Sequence, residues 1–476
     1  MLRDALSKDT RCRQWLRNQE KRMTIVDDLK QALGDIVLTG TQIGERHRSD
    51  ASLTGRELPK AVIRPTSSGE IATALRLCNE NGQTVVVQGG LTGLAGGANA
   101  GKDAVVISLE RYTGIEEIDP QAGTMTVRAG TPLEVAQRAA EDAGFLLPID
   151  LGARGSCQIG GNLATNAGGI RVLRYGVTRD NVLGLEAVLA DGTIISSLNK
   201  MIKNNTGYDL RQFFIGSEGT LGVITRAVLR LRPLPAGRLT ALCALESYDD
   251  LVAFLTRCQR RLPGLSAFEA MWENYFRFNA EAEKLKFFDE IPPFAVIVEQ
   301  DLLGDASERD GFEAFLGEAL EDGIIADALI AQSEKESRSF WSVREGHAMD
   351  SQLPALVNLD VSLPIGDIGR FAAECGAALS QRFPAAHVSF FGHVADSNLH
   401  IAFSEPDSDA DTPHIVDGIV YEIVRRYKGS ISAEHGIGTL KRDFLDHSRS
   451  PAELELMHRI KRALDPNGIL NPGKVI

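Results

Sequence analysis

The sequence predicts an α+β protein with a loop-rich first half and an antiparallel-sheet second half. Three observations predict it. In the first half, short apolar runs alternate with glycine-rich loops that lead into another strand instead of a helix. At Pro233–Gly237, prolines and a glycine interrupt an alternating strand and mark a domain boundary. Beyond it, strand patterns alternate with longer helical ones, as in LTALCALES followed by YDDLVAFLTRCQRRL. Four segments result: an N-terminal helical segment 1–58, a loop-rich domain 59–235, a sheet domain 236–430 and a C-terminal segment 431–476.

Composition narrows the class. The 476 residues allow two to three domains, and 43% hydrophobic content supports a large core. A net charge of −13 argues against nucleic acid as the main partner, although a small anion can still sit in a local basic pocket. The six cysteines form no CxxC pair, which suits reduced thiols in a cytosol. No apolar run approaches the ~18 residues of a membrane span. Residues 1–22 lack the apolar core of a secretory signal; a transit peptide or a start at Met23 stays open.

The elements follow in order. Met23–Leu33 reads as an amphipathic helix, AVIRP (61–65) as a strand stopped by proline, and SSGEIATALRLCNENG as a serine-capped helix. TVVV, AVVISL (104–109) and TMTVRAG (124–130) are strands, and TPLEVAQRAAEDAG is a helix closed by Gly144. VLGLEAVLADGTIIS (182–196) reads as two strands turning at Asp191-Gly192. The last segment is a helix followed by an irregular tail.

Three loops carry chemistry. VVVQGGLTGLAGGANAG (85–101) can turn sharply and present backbone N–H groups to a phosphate. It is neither a P-loop nor a dinucleotide fingerprint, because no G-K-[ST] and no helix follow. DLGARGSCQIGGNLATNAGG (150–169) is rich in donors and nearly uncharged. FIGSEGTLGVIT (214–225) adds a third cluster. Three such loops in one domain suit a long diphosphate ligand.

Their motifs Q-G-G-x-T-G-L, G-S-x-x-I-G-G-N-x-A-T-N-A-G-G, N-T-G-Y-D-L and G-S-E-G-T-L-G-V-I-T resemble the FAD-binding domain of the vanillyl-alcohol oxidase/p-cresol methylhydroxylase superfamily. The branch they resemble is that of the FAD-linked D-lactate, D-2-hydroxyglutarate and glycolate dehydrogenases. The resemblance implies a two-part FAD-binding domain, an antiparallel-sheet substrate or cap domain, and a C-terminal segment returning to the flavin. It implies that Gln88, Gly89, Gly90, Leu91, Thr92, Gly93 and Leu94 hold the pyrophosphate. Asp150, Gly155, Ser156, Gly160, Gly161, Asn162, Thr165, Asn166, Ala167 and Gly168 would line the pyrophosphate and flavin ring, and Gly222 and Ile224 the adenine end. Asn471 and Lys474 match tail residues that return to the flavin in relatives. Some members tether the flavin through a loop histidine; none occurs between His47 and His347, so the FAD is expected to be non-covalent.

The second half supplies histidines. In FGHVADSNLHIAF a turn at Asp396-Ser397-Asn398 separates His393 from His400, which puts the pair on adjacent strands facing one pocket. With Glu434 of ISAEHGIG they offer two imidazoles and a carboxylate, a set suited to Zn²⁺, with Mn²⁺ or Fe²⁺ as alternatives. The resemblance implies that His393, His400 and Glu434 are the metal ligands and His435 the base. The chemistry coheres: a Lewis acid stabilises the developing alkoxide, imidazole accepts the hydroxyl proton, and the α-hydride passes to flavin N5. Arg344, in a W-x-x-R-E match, is the expected bidentate grip on the substrate carboxylate.

Two positions depart from 2-hydroxyglutarate dehydrogenases. Asn358 stands where those enzymes place a lysine, and Ala402 where they tend to carry a polar residue. The expected activity is therefore oxidation of a D-2-hydroxy acid to the 2-oxo acid, with D-lactate favoured. D-2-hydroxyglutarate dehydrogenase, a glycolate oxidase subunit, and a non-catalytic flavin electron-relay subunit are the alternatives. The expected partners are a small 2-hydroxy acid and a quinone, cytochrome or electron-transfer flavoprotein as acceptor, with a homodimer left open. The expected location is cytoplasmic, with any membrane association made through the acceptor.

Overall fold

Val85–Gln88 is a β-branched run, stiff at χ1 and suited to a pleated strand. In the computed structural model, which describes residues 24–305 and 307–476, it is the edge of the first sheet. The expectations for residues 1–22 lie outside the described residues. That sheet holds β1 (Val37–Leu38), β2 (Ala61–Ile63), β3 (Val85–Gln88) and β4 (Val105–Ser108), in the order β1-β2-β4-β3. β2, β4 and β3 run parallel. The N-terminal helix covers Ile25–Leu33, held by a capping box on Thr24 worth about 1 kcal/mol.

The helix Ser68–Glu80 follows β2, capped by Ser67, whose side chain accepts from the Glu70 N–H. It buries Ile71, Ala74, Leu75 and Cys78, a helical stripe against the core. The chain then builds a five-stranded antiparallel sheet from β5 (Ile115–Asp119), β6 (Thr124–Arg128), β8 (Val182–Val188), β9 (Ile194–Ser197) and β10 (Val223–Arg230), ordered β5-β6-β10-β8-β9. β7 (Phe145–Leu146) and β11 (Arg232–Pro233) form a short ribbon ahead of the second half. At the β8–β9 turn Gly192 has φ +86°, and a Cβ there would lie 2.6 Å from the Ala72 carbonyl, so glycine lets the turn pack on the helix.

The second half is one seven-stranded sheet: β12 (Gly237–Leu245), β13 (Leu265–Trp272), β14 (Phe294–Leu302), β15 (Asp327–Ile330), β16 (Val357–Ser362), β17 (His387–Gly392) and β18 (Asn398–Ser404). Its order is β15-β12-β14-β13-β17-β18-β16, and each of its neighbouring pairs is antiparallel. Strand alternation sorts its faces. Phe268, Leu359, Val361, Leu399, Ile401 and Phe403 enter a core with the helices Tyr248–Arg261, Glu308–Glu321, Ile368–Arg382 and Thr412–Arg426. The alternate positions Glu269, Asp360 and His400 share the opposite face. The polar chemistry of this half is thus written as breaks in three strands' apolar patterns.

The irregular tail is anchored. Val85 N–H donates to the Ile469 carbonyl at 2.7 Å and Asn471 N–H to the Val85 carbonyl at 2.8 Å, so the tail covers the open edge of β3. Among the described residues no helix is long and apolar enough to cross a membrane.

Candidate active site

The three glycine-rich loops surround one cleft with about 1320 Å³ of free space, part of it open to solvent. Gly89, Gly90, Leu91, Thr92, Gly93 and Leu94 form one wall. Gly160, Gly161, Asn162, Thr165, Ala167 and Gly168 form another, and Gly222, Ile224 and Asn471 also face the space. A Cβ on Gly90 would sit 2.1 Å from the Ser156 carbonyl, so glycine is what lets these two loops touch. Leu91, Glu218 and Asn471, all on the cleft, hold positive φ, strain of a kind concentrated at ligand sites. Gln158 Oε1 and Asn162 Nδ2 are buried on its wall and have no partner among the described residues. A hydrogen-bonding ligand fits that vacancy in the polar accounting.

Six residues expected on this surface do not line it. Gln88 turns inward, its Oε1 2.7 Å from His47 Nδ1 and its Nε2 donating to the Ala98 carbonyl, so it pins the loop from behind. Asp150 faces Arg154 and Arg171 instead. Gly155 lies against Glu134, and Ser156 contributes the carbonyl beneath Gly90. Asn166 ends its helix in the left-handed conformation and accepts from the Arg179 N–H at 2.9 Å. Lys474 is buried behind the cleft near Asp50 and Glu218; burial pushes its ammonium down to about 8 against the pull of both carboxylates.

Beside the cleft, His393 and His400 of the second half meet Glu434 of the C-terminal segment, with a ligand atom of each within 4.8 Å of the others. His400 lies on β18 and His393 follows the end of β17, close to the adjacent-strand placement the turn implied. His393 Nε2 and Glu434 Oε1 are 3.7 Å apart. Two imidazoles and a carboxylate that converge this closely fit a divalent metal. Glu434 Oε1 also accepts from the Gly169 N–H at 2.8 Å, tying the cluster to the second loop. A Cβ on Gly168 would lie 2.7 Å from Glu434 Oε1, so the loop approaches there only as glycine.

Glu269, on β13, backs this cluster. It is 1% exposed; its Oε1 meets His393 Nδ1 at 2.7 Å, and its Oε2 accepts from Arg344 Nε at 2.8 Å. Arg344 Nη2 lies 2.7 Å from the same oxygen. Glu269 thus fixes the guanidinium through Nε, while Nη2, although close to the same oxygen, has no hydrogen-bond partner among the described residues. The guanidinium also stacks over Phe391, 4.7 Å from the ring centroid.

Glu434 and His435 both face the cleft. The His435 ring is 6.0 Å from that of His400, and its Nδ1 is 2.9 Å from Asp360 Oδ1. Asp360, Glu269, Glu218 and Gln158 were missed by motif reading. The signal available for the first two was a lone carboxylate inside an apolar strand, in LSAFEAMW and VNLDVSLP. The signal for Glu218 was the acidic residue of FIGSEGTLGVIT, which accepts from the Ile437 and Gly438 N–H groups and so holds the loop after His435 to the cleft.

A cleft built from three glycine-rich loops, with Glu434 of a His–His–Glu cluster on its wall, fits a flavoprotein oxidoreductase. Comparison with known proteins carries this further. Residues 59–197 match the FAD binding domain model and residues 234–475 the model for FAD linked oxidases, C-terminal domain. The chain belongs to this FAD-linked oxidase family and binds FAD. It is 40% identical to D-2-hydroxyglutarate dehydrogenase of Xanthomonas citri pv. viticola over 88% of this chain and 89% of that protein. It is 35% identical to the enzyme so named in Stutzerimonas stutzeri, over 95% and 98%. It is 36% identical to the mitochondrial D-2-hydroxyglutarate dehydrogenase of Bos taurus, over 94% and 82%. Among solved structures, p-cresol methylhydroxylase with substrate bound shares the fold at a TM-score of 0.76 and 16% identity, covering 95% of this chain and 96% of that one. The 4-ethylphenol oxidase of Gulosibacter chungangensis does so at 0.72 and 19%, over 95% and 96%. These likenesses assign the vanillyl-alcohol oxidase type of fold.

Proposed function

We propose that this chain is a metal-assisted D-2-hydroxy acid dehydrogenase of the 2-hydroxyglutarate type. One observation carries the reading: the consecutive residues Glu434 and His435 both face the flavin cleft, and Glu434 completes the cluster with His393 and His400. The names of the similar proteins support 2-hydroxyglutarate over D-lactate.

In this reading His393, His400 and Glu434 hold the metal, with Zn²⁺ first and Mn²⁺ or Fe²⁺ as alternatives. When bound, the metal polarises the substrate hydroxyl and FAD takes up the two electrons of the α-C–H bond. The residues of the chain do the rest. Arg344 grips the α-carboxylate with its terminal nitrogens, while Glu269 fixes its orientation through Nε. His435 accepts the hydroxyl proton, and the product is the 2-oxo acid. The cleft residues named above grip FAD without a covalent bond, so acid precipitation releases all the flavin to the supernatant.

A second reading, D-lactate, is favoured by one rung of the sheet. Asn358 pairs with Ala402 beside the Asp360–His400 pair, on the same face as the cluster. Neither side chain offers a charge to a distal carboxylate. The deciding experiment is anaerobic flavin bleaching by D-2-hydroxyglutarate and by D-lactate at matched concentrations. Faster reduction by 2-hydroxyglutarate supports the proposal; faster reduction by lactate replaces it with the second reading; bleaching by neither favours an electron-relay subunit. Turnover with a quinone, a cytochrome and an electron-transfer flavoprotein then ranks the acceptors. The proposal includes a cytoplasmic location, checked by cell fractionation.

A further inference from the structure

We propose that Asp360 is the positioning residue for His435, fixing which ring nitrogen carries the proton and holding the Glu434–His435 dipeptide in register with the cleft. The inference rests on the reading of His435 as the base.

Asp360 is fully buried on β16, opposite His400 in the ladder. Its Oδ2 accepts from three consecutive backbone N–H groups: Ala433 at 2.7 Å, Glu434 at 2.5 Å and His435 at 3.1 Å. Its Oδ1 is 2.9 Å from His435 Nδ1 and also accepts from Lys441 Nζ. Lys441 is itself buried and donates to the Ile431 carbonyl at 3.1 Å. Three backbone N–H groups and the Lys441 ammonium all donate to Asp360, so both of its oxygens act as acceptors.

An ionised carboxylate only accepts hydrogen bonds. The hydrogen between Asp360 and His435 therefore sits on Nδ1, and the lone pair of the neutral ring sits on Nε2, at the far side of the ring. A base aimed at the cleft needs that tautomer. The same carboxylate, through its backbone bonds, sets the carbonyl-to-Cα path that delivers Glu434 to the metal cluster. Lys441 balances the charge, so the anion is held in place without His435 as its sole counter-ion. A turn that merely needed capping would be served by the three backbone bonds. The additional contact with the ring is what assigns Asp360 a part in the reaction.

Two measurements test this. In nitrogen-15 histidine-labelled wild-type holoenzyme, with the His435 signal identified by its loss in His435→Gln, two-bond proton–nitrogen spectra should show the proton on Nδ1 and none on Nε2. A proton on Nε2 overturns the proposal, whatever acid the enzyme oxidises. In Asp360→Asn the amide can keep the backbone bonds through its oxygen, but it turns a donor toward Nδ1 and favours the other tautomer. With full FAD and metal loading, kcat should fall at least about 100-fold while KM stays within about threefold. A kcat within about twofold of wild type at full loading overturns the proposal. If that variant fails to fold, the wild-type spectrum decides alone.

Discussion

Glu269 Oε1 and His393 Nδ1 lie 2.7 Å apart in the interior of the sheet domain. Burial penalises the charge on Glu269, yet His393 and Arg344 together hold its pKa down at about 2. One carboxylate therefore orients the proposed metal-ligand imidazole and the guanidinium beside it. Outer partners of this kind are worth about 10–100-fold in metal affinity. Glu269→Gln should lower metal affinity by about that factor and raise KM for the 2-hydroxy acid. Metal titration of the chelated protein checks the first effect and steady-state kinetics the second. Wild-type values for both would remove Glu269 from the site.

Of the three cluster residues Glu434 is the one on the cleft wall, bonded to the Gly169 N–H, so the metal and the flavin should be separable. Chelation is expected to abolish turnover while the visible flavin spectrum persists. His400→Ala should behave the same way, with less than one metal per chain by elemental analysis. Wild-type kcat and full metal content in that variant would exclude His400 as a ligand.

Asn358 sits two residues along β16 from Asp360, about 7 Å away on the same face. A lysine there can reach a distal carboxylate beside the cluster. Asn358→Lys should raise the ratio of kcat/KM for D-2-hydroxyglutarate over D-lactate about tenfold, the scale of one charged hydrogen bond. An unchanged ratio would mean that the distal carboxylate binds elsewhere.

Asp417, on the helix Thr412–Arg426, tests the packing at the back of the sheet. Burial raises its pKa to about 6, with Lys441, His414 and Tyr421 acting in the opposite sense. A raised folded-state value favours the neutral form. Its stabilising contribution is complete below the ordinary value of 3.8 and is lost as the pH rises through about 6. Asp417→Asn should therefore be more stable than wild type at pH 8, by up to about 3 kcal/mol, and nearly equal at pH 4. Thermal melts at the two pH values check the sign.

Much of the fold was legible because it is written in short-range patterns. The capped helix at Ser68–Glu80, the hairpin at Asp191-Gly192 and the change of rhythm after Pro233 each depend on neighbours a few residues apart. The glycine-rich loops were legible for the same reason: backbone that must approach a ligand or another loop needs glycine at fixed spacing. The cleft gathers only part of those loop residues on one surface. Within one loop, Gln88 faces the protein and Leu91 faces the space, a distinction that depends on His47, far from the motif, and on Ala98 at the loop's other end.

The sequence by itself determined the element order, the donor-rich loops and the histidine and carboxylate types available for chemistry. Only the tertiary structure decided which carboxylates serve them. Glu269 and His393 are 124 positions apart and Asp360 and His435 are 75 apart, and only the packing of the sheet against the segments that carry the histidines brings each pair within hydrogen-bond reach. Local propensity has no term for such contacts. They exist because burying the apolar faces of β13 and β16 obliges the alternate residues to point to the other side, where a buried charge is tolerated only beside a partner.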